Sequence, residues 1–186
     1  MCRHCREVCE VVISNEALSR PLDGPGIEVE IDETYLTRRK YKKGRKTKTG
    51  SVTILGLYER ETKLGFHLQV KNKSKAVLLS EIERLVLPGT KIITDAMPSY
   101  ADLPKHGYEH DFVVHKRRFV QKKDRSVHNQ NIEIRNRWTK TDIKSYGSDR
   151  QLHSYCAQYA YRYWFLKNMD QQWLPQHLQL IGIIHL

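Results

Sequence analysis

The alternation of apolar and charged positions is sharpest over residues 27–36, where Ile27, Val29 and Ile31 interleave with Glu28, Glu30 and Asp32. A period of two predicts a strand with three carboxylates on one face. A β-branched, apolar run at 51–58 predicts a second strand, a tight turn follows at 60–63, and 64–70 completes an antiparallel meander. From 74 the spacing changes: Val77, Leu78, Ile82 and Leu85 recur at helical intervals behind Ser74 as an N-cap, and Pro88-Gly89 stops the helix. Residues 91–94 read as a short buried strand ending at Asp95, 100–103 as a short helix and 112–115 as another strand. A helix is predicted over 131–146, closed by Gly147. A last amphipathic helix starts near Asp149, with Leu152, Tyr155, Cys156, Tyr159, Tyr163 and Leu166 on one stripe.

Three antiparallel strands followed by β-α-β crossovers predict an α/β fold. It is a mixed five-stranded sheet with flanking helices, the element order of the ribonuclease H-like fold. The expected organisation is a lead-in of helix and turns over 1–26, a catalytic domain over 27–168 and an unassigned tail over 169–186. With 186 residues, 39% of them apolar, the chain is long enough for one real core.

Charge narrows the partners. Lys and Arg number 32 against 21 Asp and Glu, a net +11 that makes a polyanion the default partner. Fourteen of these cations fall in two runs, eight in 38–48 and six in 116–125. Such loops attract a nucleic-acid backbone without reading its sequence; solvated surface loops are the plainer reading. No apolar run reaches the length of a membrane span and no secretory leader is visible, so an intracellular protein is expected. Cys2, Cys5 and Cys9 crowd at one end, which does not make a disulfide framework. With His4 they resemble half a zinc site, but no second pair follows at ribbon spacing, and buried thiols on a short helix explain them better.

Chemistry points to the acids. Asp32 lies late in the first strand, Asp95 at the end of another and Glu133 in the first turn of a helix. In a ribonuclease H-like fold these three points converge. Singly, each is explained by turn formation, capping or the helix dipole. Together they offer the hard oxygen donors that Mg²⁺ or Mn²⁺ prefers, and two such ions assist in-line displacement at phosphorus. From Glu133, residues Arg137, Lys140 and Lys144 return to nearly the same helical face, setting phosphate-binding cations beside a metal ligand. The plainer alternative is a solvated face with an ordinary ion pair.

Several stretches together resemble the catalytic domain of Merlin-type transposases, relatives of the ISXO-type bacterial insertion-sequence transposases. They are VEIDETY at 29–35, RKYKKGR at 39–45, IITD at 92–95 with Tyr100, GYEH at 107–110 with His115, Phe119-Val120, and HNQNIE at 128–133. The resemblance spans about residues 5 to 165. It implies a DDE transposase with Asp32, Asp95 and Glu133 as the catalytic, metal-binding triad, two Mg²⁺ or Mn²⁺ ions, and double-stranded DNA, both transposon ends and target, as partner. It also implies action as a homo-oligomer. Arg39, Lys40, Lys42, Lys43, Arg45, Lys46, Lys116, Arg117 and Arg118, with Arg137, Lys140 and Lys144, are the expected DNA contacts. His110, His115 and His128 are possible accessories near the site, with a structural hydrogen-bonding role the plainer reading. Asn131 competes with Glu133 as third ligand, because some bacterial relatives use Asn there; a charged carboxylate suits Mg²⁺ better. Relatives usually carry an N-terminal DNA-binding segment, and the lead-in is expected to be the remnant of a missing one.

Two alternatives share these features. One is a domesticated or decayed DNA-binding module without catalysis, and the other a nuclease that only hydrolyses. Expected location is the nucleus in a eukaryote, helped by the basic run at 42–46, and the cytoplasm in a bacterium.

Overall fold

The computed structural model describes residues 22, 24–37, 51–113, 127–143 and 148–161. Its strands are β1 (Glu28–Thr37), β2 (Ser51–Glu59), β3 (Gly65–Val70), β4 (Lys91–Asp95) and β5 (Glu109–Val113). The helices are α1 (Lys75–Leu85), α2 (Gln130–Asp142) and α3 (Asp149–Tyr161). The sheet runs β3-β2-β1-β4-β5, antiparallel among the first three strands and parallel from β1 to β4 to β5. The meander and crossovers expected from the sequence are therefore present, in the order of ribonuclease H-like cores.

Side-chain alternation in β1 decides what covers each face. Val29 and Ile31 enter the main core with Leu55 and Leu57 of β2, Leu78, Ile82 and Leu85 of α1, and Ile92 of β4. On the other face, Leu36 and Ile54 pack with Ile143, Leu152 and Cys156. Burying a Leu- or Ile-sized side chain contributes about 1.5–3 kcal/mol, so both sheet faces must be covered. Glu28, Glu30 and Asp32 alternate with the core positions Val29 and Ile31, and of these acids Glu30 is fully buried beneath α2.

Four expectations shift. Ser74 is the N-cap of α1, yet its hydroxyl makes no cap bond; instead its backbone N–H is held by Asn72 Oδ1 at 2.9 Å. The short helix expected at 100–103 is two 3-10 turns, Pro98–Tyr100 and Leu103–His106, each with proline in its first positions. Strand β5 starts at Glu109, three residues before the apolar run, because parallel pairing with β4 supplies its ladder and an edge strand tolerates charge. Helix α2 ends at Asp142 rather than 146: Ile143 leaves helical geometry (ψ 69°) and buries its side chain in the second cluster. The N-terminal Cys-rich helix, both basic runs, Gly147, Tyr163 and Leu166 lie outside the described residues.

Candidate active site

Strands β1 and β4 pair only from Glu28–Lys91 to Glu30–Ile93, whereas β1 stays paired with β2 as far as Thr37–Ser51. Asp32 and Glu33 thus lie beyond the last β1–β4 pair, and Asp95 closes β4. Although successive residues of a strand point to opposite faces, one carboxylate oxygen from each of Asp32, Glu33 and Asp95 lies within 4.8 Å of the others. Among the described residues this is the group of acids that can surround an ion.

Glu133, the third acid expected from the sequence, is outside that 4.8 Å set but close enough to act on it. Asp32 is pushed up to about 6, first by burial, then by the negative charges of Glu33, Asp95 and Glu133, against the hydrogen bond it receives from Asn136. The structure therefore brings Asp32 and Asp95 together and sets Glu133 beside them, half-buried in the first turn of α2. All the donors are carboxylate oxygens, and their mutual charge bears on Asp32. That set suits a hard divalent cation, which would relieve the repulsion.

Glu33 is the member that sequence reasoning missed. Lys73 Nζ donates to Glu33 Oε2 at 2.9 Å, and the Tyr100 hydroxyl makes a short hydrogen bond to Oε1. Burial, followed by Glu33 itself, raises the Tyr100 pKa, which keeps the phenol protonated as a donor. Lys73 also sits over the exposed Tyr35 ring, 4.6 Å from its centroid.

Helix α2 is fixed to β1 through a buried carboxylate. Glu30 accepts from Arg60 Nε and Asn131 Nδ2, each at 2.7 Å, and from the backbone N–H of Ile132 at 3.0 Å. Asn131, weighed above as a third ligand, has its amide turned to Glu30. His128 joins the same hub: its carbonyl accepts from Arg60 at 2.5 Å and its Nδ1 lies 3.6 Å from Glu30 Oε1. Farther along α2, Arg135 donates to the Lys63 carbonyl at 2.5 Å and stacks on Tyr58, its guanidinium carbon 4.6 Å from the ring centroid. These contacts anchor α2, the helix that carries Glu133.

The remaining predicted residues divide. His110 Nε2 lies 2.9 Å from Thr94 Oγ1, one residue before Asp95, and burial lowers its pKa, so it packs as a neutral ring. Arg137 and Lys140 are exposed on α2. Arg39, Lys40, Lys42, Lys43, Arg45, Lys46, Lys116, Arg117, Arg118, Lys144 and His115 lie outside the described residues. Tyr159 is buried with its ring edge-on to His67, as core packing requires.

Sequence reasoning also missed Asn136 and His67. Asn136 Nδ2 donates to Asp32 Oδ2 at 2.8 Å, and Asn136 Oδ1 lies 3.0 Å from His67 Nε2. The available signal was Gly56, an isolated glycine inside an apolar strand, which marks close backbone approach. It pairs with both Asp32 and His67, and a Cβ there would lie 2.8 Å from Asn136 Oδ1.

Comparison with known proteins supplies the context. A family model described as the ISXO2-like transposase domain matches residues 21–164. No curated protein sequence matches. Among solved structures, a chain of the simian T-cell lymphotropic virus intasome, in complex with the PP2A regulatory subunit B56 gamma, superposes with a TM-score of 0.51. It has 14% identity, over 80% of this chain and 52% of that one, a likeness of fold. The HTLV-2 integrase catalytic core domain in complex with magnesium gives a TM-score of 0.48 at 14% identity, over 80% of this chain and 91% of that one. The Mos1 transposase paired-end complex gives 0.34 at 14%, over 56% and 40%.

Proposed function

We propose, from the premise that this chain belongs to the ISXO2-like transposase domain family, that Asp32, Asp95 and Glu133 form its strand-transfer centre. The chain is a DDE transposase catalytic domain, a member of the polynucleotidyl transferases. The observation that carries the site assignment is the convergence of Asp32 and Asp95 at the β1–β4 cleft, with Glu133 among the charges felt by Asp32.

In this reading Asp32, Asp95 and Glu133 hold two divalent ions, Mg²⁺ or Mn²⁺. When bound, these supply activation of an attacking hydroxyl and stabilisation of a leaving oxygen. The protein's own part is positional. β1 and β4 present two acids from a rigid sheet, and α2 carries the third on a helix tied down through Glu30, Arg60 and Arg135. Such rigidity holds the reacting groups in line. Arg137 and Lys140, exposed on α2, and the basic runs at 38–48 and 116–125 neutralise the phosphates of double-stranded DNA, both element ends and target. The domain works as a homo-oligomer on paired ends. The division into 1–26, 27–168 and 169–186 is part of the proposal, and the family match over 21–164 supports its central piece.

The test supplies a short duplex with a pre-nicked end and Mn²⁺ to the wild-type protein and to Asp95→Asn. Wild type joins the free 3′-hydroxyl to target DNA, and the variant binds the duplex without joining it. Cleavage without joining by the wild type would make it a hydrolase. Equal binding with no chemistry from either would make it a DNA-binding module.

A further inference from the structure

The buried line from Asp32 through Asn136 to His67 has a defined direction. Asp32 as a carboxylate only accepts hydrogen bonds, so the –NH₂ of Asn136 must face it, as the 2.8 Å contact to Oδ2 records. The Asn136 carbonyl oxygen is then left facing His67 Nε2 at 3.0 Å, which has to be the protonated nitrogen. Three neighbours fix the ring and the amide. Tyr159 meets the His67 ring edge-on at 5.2 Å between centroids, Ile132 packs against Gly56, and the missing Cβ of Gly56 leaves the space in which Asn136 sits. Asn136 and His67 are 3% and 6% exposed, so neither finds a replacement partner in water.

We propose that His67 and Asn136 act as positioning residues that select which oxygen of Asp32 faces the divalent ion: Asn136 occupies Oδ2, and Oδ1 is presented to the cleft. His67 never touches Asp32. It acts by holding the Asn136 amide in the one orientation that donates; a flipped amide would set its oxygen against a carboxylate oxygen. The inference rests on the metal-binding reading above and deepens it. Partners of this kind, one bond behind a ligand, commonly change metal affinity by about 10- to 100-fold when removed.

The experiment measures Mn²⁺ binding to the full chain by the loss of the free-ion EPR signal, without DNA and without turnover. His67→Phe keeps an aromatic ring against Tyr159 and removes the donor; it is expected to weaken Mn²⁺ binding about 10-fold. His67→Gln places an amide N–H near the former Nε2 and is expected to restore most of it. Asp95→Asn serves as the control for the site itself. Binding by wild type that is lost in Asp95→Asn but unchanged in a folded His67→Phe overturns the positioning role and leaves the site standing. Wild type that binds no Mn²⁺ overturns both. A second measurement needs no variant: ¹⁵N NMR of the wild-type imidazole must show His67 protonated on Nε2 and bare on Nδ1, and the opposite tautomer would refute the relay.

Discussion

Replacing Gly56 with alanine adds one methyl group where α2 lies closest to the sheet. The new Cβ would sit 2.8 Å from both Asn136 Oδ1 and Ile132 Cδ1 and 3.2 Å from His67 Nε2, the first two about 0.6 Å inside ordinary contact. None of the three can swing aside: Ile132 is fully buried, His67 is buried, and Asn136 is bonded at both ends of its amide. Helix α2 must therefore ride outward, lengthening the Asn136–Asp32 bond. Overpacking of this kind costs about 1–3 kcal/mol, and strained buried hydrogen bonds place Gly56→Ala near the upper end, about 2–3 kcal/mol. For a chain of this size that is a fall in melting temperature of roughly 5–10 °C. Urea denaturation and thermal melting in EDTA read it directly. Gly24→Ala is the comparison, because no heavy atom lies within 4 Å of a Cβ there and its effect should stay within about 0.5 kcal/mol. Equal stability of the two variants would refute the close approach, and with it the support of α2 by β2.

Three more outcomes are expected. Burial holds His67 down at about 4, below the ordinary histidine value of 6.5, with the Asn136 bond opposing and the Arg135 charge assisting. The unfolded chain then takes up a proton before the fold does, so this contribution is intact above pH 6.5 and is lost as the pH falls towards 4. The loss is roughly 3 kcal/mol by urea denaturation, and His67→Gln should flatten that acid limb. Glu30→Ala leaves Arg60 and the Ile132 N–H without their buried acceptor and should destabilise by about 3–5 kcal/mol; a loss under about 1 kcal/mol would mean that the hub does not hold α2. Neutralising Lys42, Lys43, Arg45 and Lys46 together should make the slope of log K against log salt shallower by about three to four units. An unchanged slope would remove that run from the DNA interface.

What the sequence made legible was what local patterning controls. The period of two in β1, the apolar run of β2 and the helical spacing of Leu78, Ile82 and Leu85 reflect a one-sided burial that each segment meets by itself, and all three elements formed close to the predicted bounds. Asp95 was readable because it closes β4, whereas Asp32, expected late in its strand, lies midway along β1, just past the last pair with β4. Tertiary pairing decided the rest. The alternation placed Glu30 on the face of Asp32 but not its partners, Arg60, thirty residues away, and Asn131, a hundred away, which enclose it. The end of α2 depended on where Ile143 found a core, and the start of β5 on a ladder that β4 provides. Glu33 points by strand parity away from Asp32, and only the parting of β1 from β4 lets it reach the same cleft. The Asn136–His67 contact joins residues 69 apart, for which Gly56 was the sole local trace.

The central claim is that Asp32 and Asp95 share a divalent ion. Crystals soaked in Mn²⁺ and measured at the manganese absorption edge address it without any assay of DNA. An anomalous peak is predicted in the β1–β4 cleft at about 2.1 Å from carboxylate oxygens of both residues, absent in Asp95→Asn crystals. No peak in the cleft, or an ion held there without Asp32 or without Asp95, would contradict the account.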